Sequence, residues 1–415
     1  MEKLYVFASM DWLKEDELVG ELLFDRIRGK EVYHFVFDKR WLSLHSDIRL
    51  GEDLGNYSSE QFSKGDIFGC FSDSLPDRWG RVLAERREQI LAQQEHRPLR
   101  HLSSFDYLKS IDDFSRMGAF RFKEQPDGPY INSEDHLSIP PIVYIRKLLD
   151  ASWHIERSEE EGMLPEDKWI EQLYHPGTSL GGARPKSSVM DENGRLCIAK
   201  FPSRKDRYDV ALWEHLCHLL AKKAGINVAE TRVISIGDSY HTLISVRFDR
   251  GTGEKRIHFA SSMNLLGFTD GDGADTGKGY LDIADVILRY GTNVQKNLEE
   301  LFRRVAFNIC VGNSDDHFRN HGFLLSSKGW QLSPAYDLNP SLSHEQSLMI
   351  SDNSCSSSLT DLLEACEDYY ITSDVAADII HQVRDAVHSW RETAGLLHIA
   401  PSEQQLFASR LDEFQ

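Results

Sequence analysis

Asn313-Ser314-Asp315-Asp316-His317-Phe318-Arg319-Asn320, followed downstream by Ser333-Pro334-Ala335-Tyr336-Asp337, is the stretch on which the reading of this chain turns. Asn320 stands five positions after Asp315 on a polar loop, the D-x-x-x-x-N spacing of a phosphotransferase catalytic loop. In that arrangement the Asp takes the proton of an attacking hydroxyl and the Asn offers its carbonyl oxygen to Mg²⁺. The doubled acid leaves two candidates for the base, and the spacing to Asn320 favours Asp315. A hairpin predicted over 322–332 returns the chain to the same place at Asp337. That residue is a candidate metal ligand, because Mg²⁺ takes one or two carboxylates plus phosphate oxygens. Capped turns rich in Asp and Asn explain either motif alone; both at this separation point to chemistry.

Working upstream, Leu298, Leu301, Phe302, Val305 and Ile309 form one apolar stripe stopped by Gly312, so a helix leads into the loop. Farther back, Asp191-Glu192-Asn193-Gly194 predicts a hairpin turn between strands at 186–190 and 196–201. A helix from about 206 to 224 follows, with Trp213, Leu216, Cys217, Leu220 and Ala224 on one face. Two more strand-like runs lie at 228–236 and 241–248. Lys200 shares a strand face with Leu196 and Ile198 by the period of two. A lysine placed so wants an anionic partner, either Glu214 on the next helix or the phosphates of ATP; a snorkelling edge lysine is the structural alternative. Gly181 and Gly182, just before the hairpin, remove side chains where backbone N–H groups would approach phosphate.

The outer parts of the chain are less specific. Residues 33–37 read as a strand and 83–93 as a helix. Pro126, Pro129, Pro140 and Pro141 mark a surface connection, the acidic 158–162 run reads as solvated loop or helix edge, and 360–415 reads as a helical bundle. No internal repeat is present.

With 415 residues, of which 40% are hydrophobic and 27% charged, the chain has the balance of a soluble globular protein of about two or three domains. Acidic residues outnumber basic ones by 66 to 47, a net charge of −19. A duplex-coating protein would need the opposite surplus. No run approaches the ~18 apolar residues of a membrane span, and the apolar run 4–7 is too short for a secretory leader. Six cysteines without a C-x-x-C pair argue against a zinc ribbon or a disulfide framework and for a cytoplasmic protein with reduced thiols.

Three further patterns fail on inspection. The 271–278 stretch has its glycines one residue too far apart for a phosphate loop, and Gly279 supplies no hydroxyl after Lys278. Asp270, Asp272 and Asp275 suggest calcium, but Asp275 stands where the turn glycine belongs. His317 and His321 have the spacing of a zinc protease helix without its Glu.

Taken together, the motifs resemble the HipA family of serine/threonine kinases, the toxin halves of toxin–antitoxin pairs. The matching runs are Phe71-Ser72-Asp73-Ser74-Leu75-Pro76-Asp77, Gly181-Gly182-Ala183-Arg184-Pro185-Lys186, Ile198-Ala199-Lys200-Phe201-Pro202, Arg247-Phe248-Asp249-Arg250, the Asp315 to Asn320 loop with Phe323, and Leu332 through Asp337. The resemblance implies an α+β, two-lobed protein-kinase-like fold, with a mixed α/β N-terminal lobe and a mostly helical C-terminal lobe. Its segments would be an N-terminal α/β part at 1–125, a connection at 126–170, the ATP-binding lobe core at 171–248 and a helical lobe at 249–415. It implies ATP and Mg²⁺, with Asp315 as base and Asn320 and Asp337 as metal ligands. Gly181, Gly182, Ala183, Lys186, Lys200, Glu214, Val246, Phe248 and His317 would form the nucleotide site, and Ser179 would be an autophosphorylated loop serine. It implies a small helix-turn-helix HipB-like antitoxin as partner, DNA contact only through that antitoxin, no membrane, and a protein substrate such as an aminoacyl-tRNA synthetase. The doubled acid and the long Pro-rich 126–165 segment depart from the family pattern. Two other readings share the motifs: a small-molecule phosphotransferase of the antibiotic-kinase kind, and a catalytically silent module that tethers an antitoxin.

Overall fold

A computed structural model describes residues 1–133, 139–174, 182–237, 240–251 and 255–414. The chain forms two compact units, Met1–Lys205 with Ile244–Ala260, and Asp206–Leu243 with Ser261–Gln415. These cut across the four expected segments. The expected connection at 126–170 contributes a helix of its own, Ile145–Glu160, to the first unit. The acidic 158–162 run is the solvated end of that helix, which buries Leu148, Leu149 and Ile155 on its other face.

The first unit opens with an antiparallel sheet of β1 (Glu2–Ala8), β2 (Glu17–Ile27), β3 (Lys30–Phe37), β4 (Gln61–Phe62) and β5 (Phe120–Lys123), in the order β4-β3-β2-β1-β5. Its inner face is aromatic: Phe71 lies 5.4 Å from Phe35 and 5.6 Å from Phe120 between ring centroids. The hairpin expected at 191–194 joins β6 (Lys186–Met190) to β7 (Leu196–Lys200), with Met190 opposite Leu196 and Lys186 opposite Lys200. Asp191 fixes the turn by accepting from the backbone N–H groups of Asn193 and Arg195, and Gly194 supplies the positive φ of 73°.

The second unit is mostly helical. Its first helix, Val210–Lys223, is capped by the Asp209 side chain and carries Lys222 and Lys223 in its last turn. Strand β8 (Thr231–Ile234) comes next, and β9 (Thr242–Val246) carries the chain back into the first unit. There the Arg247 N–H donates to the Leu196 carbonyl at 2.9 Å. The short strand β10 (His258–Ser261) ends at the return to the second unit. Val294–Val311 is the central helix, packed against Tyr280–Tyr290 and Ser373–His388. Strands β11 (Gly322–Ser326) and β12 (Gly329–Leu332) form the hairpin after the catalytic-type loop. Leu359–Glu364, Ser373–His388, Trp390–Leu396 and Pro401–Leu411 complete the expected C-terminal helices. No helix of the described residues is long and apolar enough to cross a membrane, and all six cysteines are free thiols.

Candidate active site

The loop owes its position to the end of the central helix. Gly312 terminates Val294–Val311 in the left-handed region at φ 71°. A Cβ there would meet the Ser341 carbonyl oxygen at 2.4 Å, so the tight exit requires glycine. Asn313 is buried; its Nδ2 donates to Asn308 Oδ1 at 3.0 Å, and its Oδ1 accepts from the Asn339 N–H at 3.4 Å. The Ser314 carbonyl accepts from both the N–H and the hydroxyl of Ser347.

The two adjacent acids are used differently. Asp316 is 3% exposed, and its Oδ2 accepts from Tyr280 Oη at 2.7 Å, Asn308 Nδ2 at 2.6 Å and His321 Nε2 at 2.7 Å. Asp315 instead faces solvent and borders a cavity of about 570 Å³ together with His317. Although open on that side, its carboxyl is held above the ordinary range. The protein packed behind it is the largest cause; the charges of Asp337 and Asp316 add to it, while His317 opposes.

Asn320 ends a short 3₁₀ turn, Phe318–Asn320. Its Nδ2 donates to the Asp315 carbonyl at 3.1 Å, which leaves Oδ1 as its atom suited to a cation. Asp337 is reached through β11 and β12. The Ser333 N–H donates to the Gly322 carbonyl, and Ala335 bridges the backbone at Asn227 and Ala229. Asp337 itself is half-buried at φ 60°, with Oδ1 accepting from Asn339 Nδ2 at 3.1 Å. A non-glycine residue held in the left-handed region stores strain of order 1–3 kcal/mol, a cost that clusters at functional sites. Among the described residues, no group of three or more His, Cys, Asp or Glu converges to hold a metal. An Asp and an Asn completed by substrate phosphates is the set that Mg²⁺ uses in phosphoryl transfer. The donors Asp337 and Asn320 fit that cation.

In the first unit, β7 buries Cys197 and Ala199 completely and leaves Lys200 half-buried on the other face with Ile198. Gly182 and Ala183 are exposed just before β6. Lys186 is 1% exposed; its Nζ donates to Asp77 Oδ2 at 2.9 Å and to the Gly182 carbonyl at 2.8 Å. Its ammonium is thereby largely spent on anchoring the loop, a duty that a phosphate-binding role does not foresee. Asp77 also caps the Arg78–Gln94 helix through Oδ1, which gives the 71–77 motif a physical purpose. Val246 borders a cavity of about 430 Å³ with Leu196 and Arg247, and the half-buried Phe248 ring lies 6.1 Å from Phe259. Asp249 is fully buried, accepting from Arg247, Arg250 and the Gly118 N–H. Two arginines and that N–H hold its carboxyl far below the ordinary range against the cost of burial.

The second unit thus gathers Asp315, His317, Asn320 and Asp337, while Gly182, Ala183, Lys186, Lys200, Val246 and Phe248 belong to the first. Glu214 is buried on Val210–Lys223 in the second. Ser179 and Gly181 lie outside the described residues. Sequence reasoning missed Asp77, Tyr280 and Asn308 as supports, and it set His321 aside with the failed zinc spacing.

Two family models match the chain: the HipA-like C-terminal domain over residues 178–390 and the HipA N-terminal domain over residues 11–112. A curated relative from Shewanella oneidensis, the serine/threonine-protein kinase toxin HipA, is 26% identical over 208 residues, 44% of this chain and 47% of that protein. Another, from Haemophilus influenzae, is 28% identical over 180 residues, 39% of this chain and 52% of that one. The chain therefore spans about half the length of the curated relatives it matches. A solved structure of the Shewanella oneidensis toxin–antitoxin system, HipA and HipB with operator DNA, matches 99% of this chain and 95% of that one. Its TM-score is 0.67 at 18% identity, a likeness of fold.

Proposed function

Because this chain belongs to the HipA family, we propose that it is an ATP- and Mg²⁺-dependent serine/threonine protein kinase acting in the cytoplasm as the toxin of a toxin–antitoxin pair. The observation that supports this reading is the grouping of a reachable acid, Asp315, with Asn320 bonded to its backbone and Asp337 acting on its charge. In this reading Asp315 takes the proton of a protein hydroxyl. The acceptor oxygen bonds the γ-phosphorus as the bond to the β–γ bridging oxygen breaks, and ADP leaves with the electron pair. Bound Mg²⁺ supplies neutralisation of phosphate charge, and Asn320 and Asp337 would hold it. Lys200, supported by Glu214, would orient the phosphates. Gly181, Gly182 and Ala183 would cover them, and the Val246 to Phe248 backbone would line the adenine. His317, beside Asp315, would help seat the γ-phosphate.

The partner of this reading is a small HipB-like helix-turn-helix antitoxin, and the substrate is a translation protein such as an aminoacyl-tRNA synthetase. Ser179 would be the autophosphorylated residue, its new charge of about −1.5 to −2 drawing the loop away from ATP. The test is phosphoproteomics after brief induction, with mass spectrometry of the purified chain incubated with ATP and Mg²⁺. Phosphoserine or phosphothreonine on a translation protein, absent with Asp315→Asn, is expected. Nucleotide binding without transfer to any protein would overturn the kinase reading in favour of a silent antitoxin-binding module.

A further inference from the structure

A base must be aimed without being engaged, because a carboxylate already bonded to donors is a poorer proton acceptor. The Asp315 side chain faces solvent, so its aim has to come from the chain on either side of it. On one side lies the Ser314 carbonyl, in the peptide plane that carries the Asp315 N–H. It accepts from the Ser347 N–H at 3.1 Å and from the Ser347 hydroxyl at 2.6 Å. On the other side the Asp316 carboxylate accepts from the Tyr280 hydroxyl at 2.7 Å, at the first residue of the Tyr280–Tyr290 helix.

These two anchors are joined to each other by the glycine-rich stretch that fails as a phosphate loop. The Ala274 N–H donates to the Ser347 carbonyl at 2.8 Å, the Met349 N–H to the Lys278 carbonyl at 3.0 Å, and the Tyr280 N–H to the Met349 carbonyl at 2.9 Å. The segment 347–349 therefore lies directly against 274–280, backbone on backbone. Side chains would prevent that approach: a Cβ on Gly273 would stand 2.5 Å from the Ser347 carbonyl oxygen, and one on Gly279 2.1 Å from that of Met349. Close packing of backbone accounts for both glycines. Tyr280 is fully buried, and burial beside the Asp316 charge pushes its phenol well above the ordinary range, so the hydroxyl keeps the proton it donates.

We infer that Ser347 and Tyr280, tied together through 274–280, are positioning residues for phosphoryl transfer. One on each side of Asp315, they clamp the loop so that its carboxyl meets the acceptor hydroxyl. The inference rests on the kinase reading and gives the 271–279 stretch a purpose within it. Misplacing a reacting group by about 1 Å can cost about 10²-fold in rate, whereas a hydroxyl with a purely structural role affects stability and leaves the rate alone.

The experiment uses the full chain with γ-labelled ATP and Mg²⁺, measuring initial transfer to itself and to a heat-treated cell lysate as ATP is varied. All rates are taken well below the thermal midpoint of each variant. Tyr280→Phe and Ser347→Ala each remove a single oxygen. Each should lower the maximal rate by about tenfold or more while KM for ATP stays within about twofold. Ser347→Thr keeps the hydroxyl and should keep the parent rate. The double variant should lose less than the product of the single losses, because one open side already frees Asp315. Tyr107→Phe removes another hydroxyl, bonded to Glu85 at 3.0 Å in the first unit, and should change the midpoint alone. Should Tyr280→Phe not fold, the comparison of Ser347→Ala with Ser347→Thr decides. A lowered midpoint with an unchanged maximal rate in either variant would overturn the inference and leave the kinase reading intact, as would a loss confined to KM or single losses that simply multiply. No transfer by the parent to itself or to any lysate protein would overturn the kinase reading, and the clamp as a device for transfer with it.

Discussion

A carboxylate that accepts a proton must be reachable, whereas one that holds a loop is spent on donors. Asp315 and Asp316, adjacent in sequence, meet these opposite requirements. Asp315→Asn should lower phosphoryl transfer by ~10²–10⁴ with nucleotide binding retained. It should not cost stability. The folded Asp315 carboxyl binds its proton more tightly than the ordinary value of 3.8, so ionisation opposes folding and the loss accrues as pH rises through that window. The Asn variant should therefore match or exceed the parent in thermal midpoint at neutral pH, with the difference closing below pH 3.8. Asp316→Asn should behave in reverse, losing about 2–4 kcal/mol as three buried donors share a neutral acceptor. A stable but inactive Asp316→Asn beside an active Asp315→Asn would reassign the base. Asp337→Ala should weaken Mg²⁺-dependent ATP binding, and calorimetry giving unchanged binding would remove it from the site.

Elements were legible where their signals are local. The turn at Asp191 to Gly194 fixes the β6–β7 hairpin by itself, and the stripe ending at Gly312 defines the central helix. Strand β2 was not legible, because its central residues are buried on both faces and break the alternation of two. Gly20 within it is required by its neighbours: a Cβ would lie 2.3 Å from the Val36 carbonyl oxygen. The site divides along the same line. The spacing of Asp315 and Asn320 is local, but Tyr280 reaches Asp316 across 36 positions and Asp77 reaches Lys186 across 109. No nearby pattern announces such partners. The end of the Arg78–Gln94 helix offers a test of one long-range tie. Glu88 is buried against Arg97 and Arg100, and the hydrogen bonds from Arg97 lead in lowering its pKa from 4.5 to about 2. A lowered carboxyl contributes stability above its unfolded value and loses it as pH falls through the folded one. Glu88→Gln should cost about 1–2 kcal/mol at neutral pH, given the exposure of both arginines. That deficit should shrink between pH 4.5 and about 2 in parallel denaturation curves.

At the scale of the whole molecule the governing quantity is the net charge of −19. Binding to duplex DNA is driven by release of counterions as cationic side chains neutralise phosphates, and it weakens steeply with salt. A chain with 66 acids against 47 bases repels the duplex at long range. Its basic side chains are also widely engaged, with Arg247 and Arg256 buried, and Arg250 half-buried, against Asp249 and Asp113. This balance favours operator contact through a partner that supplies the positive surface, the role proposed for the small helix-turn-helix antitoxin. The expected outcome is that the chain alone leaves operator DNA unshifted in a gel at physiological salt, whereas the antitoxin shifts it and the two together shift it further. The ternary complex should keep the salt dependence of the antitoxin alone, because the added body contributes few or no phosphate contacts. A steeper salt slope with the chain present would mean that it touches phosphates directly, and a shift by the chain alone would overturn the argument from charge.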